Sequence, residues 1–352
     1  MFIKSDILNP IYEMQDRRAM SSKINLIKQS NLNKVRTALK EAGTATKPQL
    51  AELTGLSVVT INSLVNTLLQ SGEILSDKVL ESDGGRPAAS FRYNSWFRMA
   101  LIIYMLEYRG QDTAFFCVID LLGNVVERQE QPLLNVVLES FDPEIERLLG
   151  LYPQIQAICF GIPGYEVNQR LVISDYENLR EQSLSGHVEE QFHLPVLVEN
   201  DINLSVMGYC RRNGIENDKC VIGIYFPDKY PPGAGIYLQG RILRGKDGLA
   251  GEIKYLPFDV DWDRFDYDSE RLEGFMMKTI QAFQCIFNPD AIVVYKETNN
   301  SKASRLVMDR CMSEIEKLML PEIVVSTDLN QDFEAGIKQL ALDRIRMEPA
   351  GN

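Results

Sequence analysis

The sequence predicts an α/β protein in two parts: a winged helix-turn-helix head over residues 31–95, and a larger layered body over residues 96–352. Three observations carry this expectation. In the head, three short helical stripes separated by glycine stops precede two alternating runs joined by SDGG. In the body, the β runs ALIIYML, TAFFCVID, QAICFGI, PVLVE, CVIGIYF, GAGIYL and AIVVY alternate with helical stretches, as α/β layering requires. Charge divides the same way: the first 98 residues hold 13 Lys and Arg against 9 Asp and Glu, whereas the remaining 254 hold 24 against 40. A net +4 head can approach a polyanion that a −16 body repels.

Composition excludes several classes. With 45% apolar and 24% charged residues, the 352-residue chain is that of a soluble globular protein rather than a disordered one. No apolar run approaches the ~18 to 20 residues of a membrane-spanning helix, and the start, MFIKSDILNPIYEMQDRR, lacks a signal peptide's uninterrupted apolar core. A cytoplasmic location is expected. The six cysteines (Cys117, Cys159, Cys210, Cys220, Cys285 and Cys311) are scattered through apolar segments without a CxxC pair, and are expected to be buried thiols. Residues 1–30 read as an arm or helix, whose Arg17–Arg18 pair could touch DNA or a partner subunit.

The elements of the head follow in order. From Asn31, NLNKVRTALKEAG places Leu32, Val35, Ala38 and Leu39 on one stripe, with Gly43 as a stop. TATKPQLAELTG offers Thr46 as N-cap, Pro48 in the first turn and Gly55 for a left-handed turn. LSVVTINSLVNTLLQSG opens on Ser57 as a cap and sets Ile61, Leu64, Val65 and Leu68 on a buried face. On the opposite side fall Val59, Asn62, Ser63 and Asn66, flanked by Thr60. This is the arrangement that lays a recognition helix in the major groove, where an Asn reads adenine and a Val methyl meets thymine's. The helix carries no Lys or Arg, so the phosphate grip is expected from Lys34, Lys47, Arg86 and Arg92. After Gly72, EILSDKVLESDGGRPAASFRYN reads as a β-wing, with Gly84 and Gly85 at a turn tipped by Arg86. A plain hairpin with a solvated arginine is the alternative.

TGLSVVTINSLVNTLLQSGEI followed by GGRPAASFRYN resembles the winged head of the ROK family of repressors, open reading frames and sugar kinases. The body agrees: VIDLLGNVV resembles the family's DL-x-G-x-V hairpin, CFGIPGYE its G-x-P-G strand end, and LPVLVENDIN its P-V-x-V-x-N-D-x-N motif. GAGIYLQGRILRGKDGLAGEI resembles its GAG…AGEI segment, and NPDAIVV its later N-P-x-x-I-V strand. The resemblance implies a two-lobed, actin-like and Hsp70-like sugar kinase fold behind the winged head.

A sugar kinase needs a base for the accepting hydroxyl and loops whose N–H groups hold ATP phosphates. The first family loop, D-x-G-G-T, falls here on Tyr108, Arg109, Gly110, Gln111 and Asp112, so tyrosine replaces the acid and one glycine is lost. A slipped register would offer Glu107 or Asp112 instead. The second, G-T-G-x-G-A-G, falls on Lys229, Tyr230, Pro231, Pro232, Gly233, Ala234 and Gly235, where two prolines remove two donors. The third, a glycine-rich turn, falls on Tyr295, Lys296 and Glu297, and brings bulk where close approach is needed. Neither ATP nor another cofactor is therefore expected.

The family's zinc site is not expected either. Tyr255 occupies its histidine position, and residues 259–273 hold neither Cys nor His. His187 and His193 are expected in structural or solvated roles.

The sugar side fares better, because Gly164, Asn178, Asn200, Asp201 and Glu252 match positions that hold sugar hydroxyls in the family. Amides and carboxylates suit vicinal hydroxyls, since each makes two directed hydrogen bonds. Asn200 and Asp201 would equally serve as caps for the helix that follows. Asp201 stands at the catalytic-base position and, without a donor site, is expected to be non-catalytic.

These expectations describe a repressor of carbohydrate-related genes, not an enzyme, that binds operator DNA as a homodimer under control of a sugar or sugar derivative. The alternatives are an active sugar kinase with an appended head, and a regulator controlled by a protein partner.

Overall fold

A computed structural model of the chain describes residues 9–82, 85–174, 176–227, 230–264, 270–296 and 321–347. The chain divides into two compact units after Phe97.

The first unit starts with α1 (Asn9–Ala42), continues through β1 (Thr44–Thr46), α2 (Lys47–Thr54) and α3 (Val58–Gln70), and ends with β2 (Ile74–Ser82) and β3 (Gly85–Tyr93). The first helix thus starts at Asn9 rather than Asn31. Residues 9–30 contain no glycine, and their one proline, Pro10, lies in the first turn, where its missing N–H costs nothing. Gly43, at φ +72°, ends the helix as expected.

Thr46 precedes α2, with the Gln49 side chain accepting from its backbone N–H at 2.8 Å; Ser57 caps α3 by accepting from Thr60 N–H at 3.1 Å. Leu32, Val35, Leu39, Leu50, Ile61, Val65 and Leu68 pack into one core with Ile74 and Phe91 of the strands. A bidentate pair from Arg36 to Glu73, at 2.6 and 2.9 Å, ties α1 to the entry of β2. The wing pairs antiparallel from Ile74↔Tyr93 to Ser82↔Gly85, and β1 adds a third strand, giving the order β1-β3-β2.

The second unit has two lobes. The first comprises β4 (Met99–Tyr108), β5 (Gln111–Asp120), β6 (Val125–Pro132), α4 (Asp142–Leu151), β7 (Ile155–Ile162), β8 (Gly164–Val167), β9 (Arg170–Ser174), α5 (Leu184–Phe192) and β10 (Val196–Asn200). Its five-stranded sheet runs β6-β5-β4-β7-β10. Helix α6 (Asp201–Arg212) leads to the second lobe, made of β11 (Cys220–Phe226), β12 (Gly233–Leu238), β13 (Arg241–Ile242), α7 (Glu270–Phe287), β14 (Ala291–Lys296) and β15 (Glu322–Ser326). This sheet runs β13-β12-β11-β14-β15, so both lobes share one order: an antiparallel meander, then two parallel crossovers. Each lobe has its own apolar core, around Phe116, Phe141 and Phe160 in the first and Phe226, Phe275 and Ile292 in the second.

Helix α8 (Leu329–Met347) follows β15, packs along α6 and returns to the first lobe, where Arg98 donates to the Ile345 carbonyl at 3.0 Å and Arg346 to that of Leu121 at 3.0 Å. The α6–α8 crossing depends on two glycines. A Cβ at Gly208 would fall inside the Asp332 carbonyl, and one at Gly336 inside the Leu204 carbonyl. Beside this crossing, Asp332 is buried and accepts from Arg212 at 2.6 Å and from the Tyr295 hydroxyl at 3.0 Å. Burial raises the Asp332 pKa above the ordinary carboxylate value, and both hydrogen bonds oppose that rise.

Candidate functional site

In the first unit, α3 buries its apolar face and turns the other outward. Val59 is 80% exposed; Ser57, Ser63 and Asn66 are exposed, and Thr60 and Asn62 partly so. The Ser57 and Thr60 hydroxyls lie 2.9 Å apart, which fixes the start of this face. Lys34 on α1 and Arg92 on β3 are exposed. Lys47, the first residue of α2, holds its ammonium 5.8 Å from the centre of the Phe91 ring. Gly85 opens β3 opposite Ser82; Gly84 and the side chain of Arg86 lie outside the described residues.

In the second unit, β10 ends on Glu199 and Asn200, and α6 begins at Asp201. Asn200 caps α6: its Oδ1 accepts from Ile202 N–H at 2.9 Å and Asn203 N–H at 3.1 Å, while its Nδ2 donates to Asp201 Oδ1 at 2.8 Å and reaches the Gly164 carbonyl at 3.5 Å. Asp201 Oδ1 also accepts from Ile202 N–H at 2.8 Å. The capping role expected of Asn200 is thus present, and Asp201 opens the helix it caps.

Three carboxylates converge on a residue that the sequence reading passed over. Tyr165, buried next to Gly164, donates its hydroxyl to Glu252, with Asp201 and Glu199 also close enough to act on it. Burial first, then these three charges, drives the phenol pKa far above its usual value, so the hydroxyl keeps its proton and donates. Each outer carboxylate also has a cation: Lys254 lies 3.1 Å from Glu252, and Arg244 donates to Glu199 at 2.6 Å. Glu199 accepts in addition from Asn200 N–H and Asn203 Nδ2, each at 2.9 Å. Gly164, Asn200, Asp201 and Glu252 are thus assembled around Tyr165. Asn178 is exposed on a short turn after β9, and the structure gives it no contact with the other four.

A cavity of about 410 Å³ opens between the lobes on the other side of Asp201. The first lobe contributes Glu107, Arg109 and Asp112 at the β4–β5 turn; the second contributes Tyr225 and Tyr230, and α8 contributes Phe333. Of the five residues matched to sugar contacts, Asp201 alone lines it.

Two of the three elements read as altered donor loops, those at Arg109–Asp112 and at Tyr230, line this cavity. Arg109 and Gly110, at φ +54° and +77°, form a two-residue hairpin turn pairing Tyr108 with Gln111 and Glu107 with Asp112. The turn keeps one of the family loop's two glycines, Gly110, and has Gln111 in place of the other. Tyr230 is exposed, Pro231 and Pro232 lead into β12, and Lys229 lies outside the described residues. Tyr295 is fully buried, its hydroxyl 3.2 Å from the Ser205 carbonyl; Glu297 and the side chain of Lys296 lie outside the described residues.

Tyr255 is 72% exposed. His187 Nε2 lies 3.0 Å from both Asp142 oxygens, and His193 ends α5 in a left-handed turn. Cys117, Cys159, Cys210 and Cys220 are buried, whereas Cys285 is exposed, which corrects the expectation for that thiol; Cys311 lies outside the described residues. Among the described residues, no helix is long and apolar enough to cross a membrane.

Residues 108–264 match the model of the ROK family. The xylose repressor of Bacillus spizizenii is 26% identical over 229 residues, covering 61% of this chain and 57% of that protein. The DNA-binding transcriptional repressor Mlc of Escherichia coli is 22% identical over 250 residues, covering 67% of this chain and 60% of Mlc. The match spans less than two thirds of the length of these relatives. A crystal structure of a ROK family transcriptional regulator, a homologue of E. coli Mlc, superposes with a TM-score of 0.64 at 18% identity, covering 90% of this chain and 97% of that one. The expected fold, a sugar-kinase-like α/β body behind N-terminal helices suited to a DNA-binding head, is borne out.

Proposed function

We propose that this chain is a cytoplasmic transcriptional repressor of carbohydrate-related genes: a homodimer that binds operator DNA through its head and is controlled by a small ligand in its body. The observation that carries the reading is the outer face of α3, where Val59, Ser63 and Asn66 stand exposed on a helix whose inner face is fully packed. Small polar and methyl groups on an otherwise uncharged helix suit base edges better than bulk solvent. Lys47 supplies the approach to phosphate, together with Gly84, Gly85 and Arg86 as the sequence places them between the two strands of the wing. Two heads are required because one half-site binds weakly, and dimers set half-site spacing. Ligand control requires that two states of the body differ in ligand affinity, and a cleft between two lobes offers such a difference.

The body works without kinase activity in this reading. Asp201 holds a hydroxyl that it no longer activates, since Tyr108 and Gln111 at the β4–β5 turn, the Pro231–Pro232 pair and the buried Tyr295 withhold the phosphoryl donor. Purified protein is expected to retard DNA from the region upstream of its own gene at low salt; failure to do so removes the central claim. Isothermal titration with Mg-ATP is expected to give no binding heat, and a clear isotherm restores the kinase. Asp201→Asn is expected to weaken the effector response with DNA retention unchanged. An unaltered response reduces Asp201 to a helix cap.

A further inference from the structure

Two side-chain contacts bridge the lobes outside the cavity, and they run in opposite directions. Tyr165, on β8 of the first lobe, donates its hydroxyl to Glu252, in the second lobe's connection between β13 and α7. Arg244, in the same connection, donates Nε to Glu199 at the end of β10, and its Nη2 lies 2.6 Å from the same oxygen. Each lobe thus gives one donor and one carboxylate. Both acceptors are largely out of water, with 6% of the Glu199 side chain and 13% of the Glu252 side chain exposed. Tyr165 is buried, and its ring lies against Gly248 of the same connection.

Both contacts are anchored to the sheets behind them. The connection is tied to itself, where Ala250 N–H donates to the Arg244 carbonyl at 3.2 Å, and to the second sheet, where Ala234 N–H of β12 donates to the Gly251 carbonyl at 3.0 Å. Gly251, at φ +100°, permits that approach, since a Cβ there would fall inside the Ala234 carbonyl. In the first lobe, Glu199 is paired with Gly161 in the sheet, and Tyr165 with Ile173 in the β8–β9 hairpin. Moving one sheet away from the other therefore strains both contacts together. Each is a hydrogen bond to a charged group, which is the stronger class.

We propose that Tyr165–Glu252 and Arg244–Glu199 form a latch by which the chain's own side chains hold the two lobes closed on each other. Helix α6, which leads from the first lobe to the second, and α8, which returns, are the crossings about which the lobes part when the latch opens. Resting on the ligand-controlled reading above, the latch also sets the direction of control. Lobes that their own side chains hold together cannot be drawn closed by a ligand, so an effector acts by favouring the released state. Tyr165 and Arg244 are then positioning residues of a switch.

The test measures lobe spacing in the full chain and needs no effector. Spin labels are placed on Glu146→Cys, exposed on α4 of the first lobe, and Asp218→Cys, exposed before β11 of the second, with Cys285 and Cys311 replaced by serine. Double electron–electron resonance is expected to give one distance while the latch is intact. Tyr165→Phe with Arg244→Gln is expected to add a second population, with the open-to-closed ratio raised about tenfold or more, as loss of a hydrogen bond to a charged group implies. Arg244→Lys keeps the cation and is expected to keep the single distance.

An unchanged distribution in the double variant overturns the latch, and so do two populations before any substitution. A shift as large in Arg244→Lys overturns the part given to the ion pair. Should circular dichroism show the double variant unfolded, Arg244→Gln alone, at a side chain 49% exposed, is read by the same criterion. DNA retention is scored separately. Lobes that open with no change in DNA affinity remove control through lobe motion and leave the latch standing, whereas altered DNA binding at unaltered spacing removes the latch and leaves the regulatory reading.

Discussion

The two lobes repeat one strand order, yet their leading hairpins end in different ways. In the first lobe, β4 and β5 run into a two-residue turn at Arg109–Gly110, so that the ladder extends to Tyr108↔Gln111. In the second, β11 and β12 pair only from Tyr225↔Gly233 inward, and the connection between them contains Pro231 and Pro232, which have no N–H to offer. One hairpin ends in a tight turn with Tyr108 and Gln111 beside it, and the other in a connection with two residues that cannot donate. The strands behind both are intact, which teaches that the sheet order of each lobe does not depend on what the hairpin tip can bind. Selection on ligand chemistry can act at the tips while the cores around Phe160 and Ile292 stay as they are.

The comparison assumes that the lobes are joined as one body, and the strongest way to break it is at the join. Gly208→Val is expected to cost about 3–5 kcal/mol, because its Cβ overlaps the Asp332 backbone and neither α6 nor α8 can withdraw without unpacking the other. Urea unfolding followed by circular dichroism measures it, and a loss below about 1 kcal/mol shows that the helices slide freely. Tyr295→Phe is smaller. Removing the hydroxyl leaves Asp332 with one bond fewer in a buried setting, for an expected loss of about 1–2 kcal/mol by the same measurement.

Asn200→Ala tests the first lobe's contribution to α6, and the expected loss of about 1 kcal/mol is that of a missing N-cap. Smallest of all is a restoration. Tyr108→Asp with Gln111→Gly rebuilds the acid and glycine of the first hairpin alone, and Mg-ATP is expected to give no calorimetric signal while Pro231 and Pro232 remain. A measurable affinity would show that the first hairpin by itself controls the donor.

Much of this architecture was legible because it rests on local patterns. Ser57, Gly55 and the Ile61–Leu68 stripe announce α3 within a dozen residues, and the β runs of the body all form strands. The start of α1 was missed for a local reason too: its first turns mix apolar residues such as Ile11, Tyr12 and Met14 with polar ones and give no sustained apolar stripe, so only the absence of breakers signals a helix. β1 was read as a cap, and its three residues serve both as strand and as entry to α2.

The site was only half legible. Asn200, Asp201 and Glu252 stood in recognisable motifs, but Arg244 meets Glu199 across 45 residues of sequence, a distance at which spacing carries no information. Tyr165 had a signal, an aromatic hydroxyl directly after the Pro163–Gly164 strand end. Its meaning needed the three carboxylates that folding brings around it.

The uncharged recognition helix bears on how such a regulator finds its target. Non-specific affinity for DNA grows with the number of phosphates a protein neutralises, and that affinity holds a searching protein on random sequence. In the reading proposed above, with no Lys or Arg on α3 and 40 acidic against 24 basic residues after position 98, the chain would spend little time on random sequence. It would sample the genome mostly through solution, as brief collisions, and occupancy of its operator would follow the concentration of free dimer closely. A cell could then reset the control quickly by changing copy number alone.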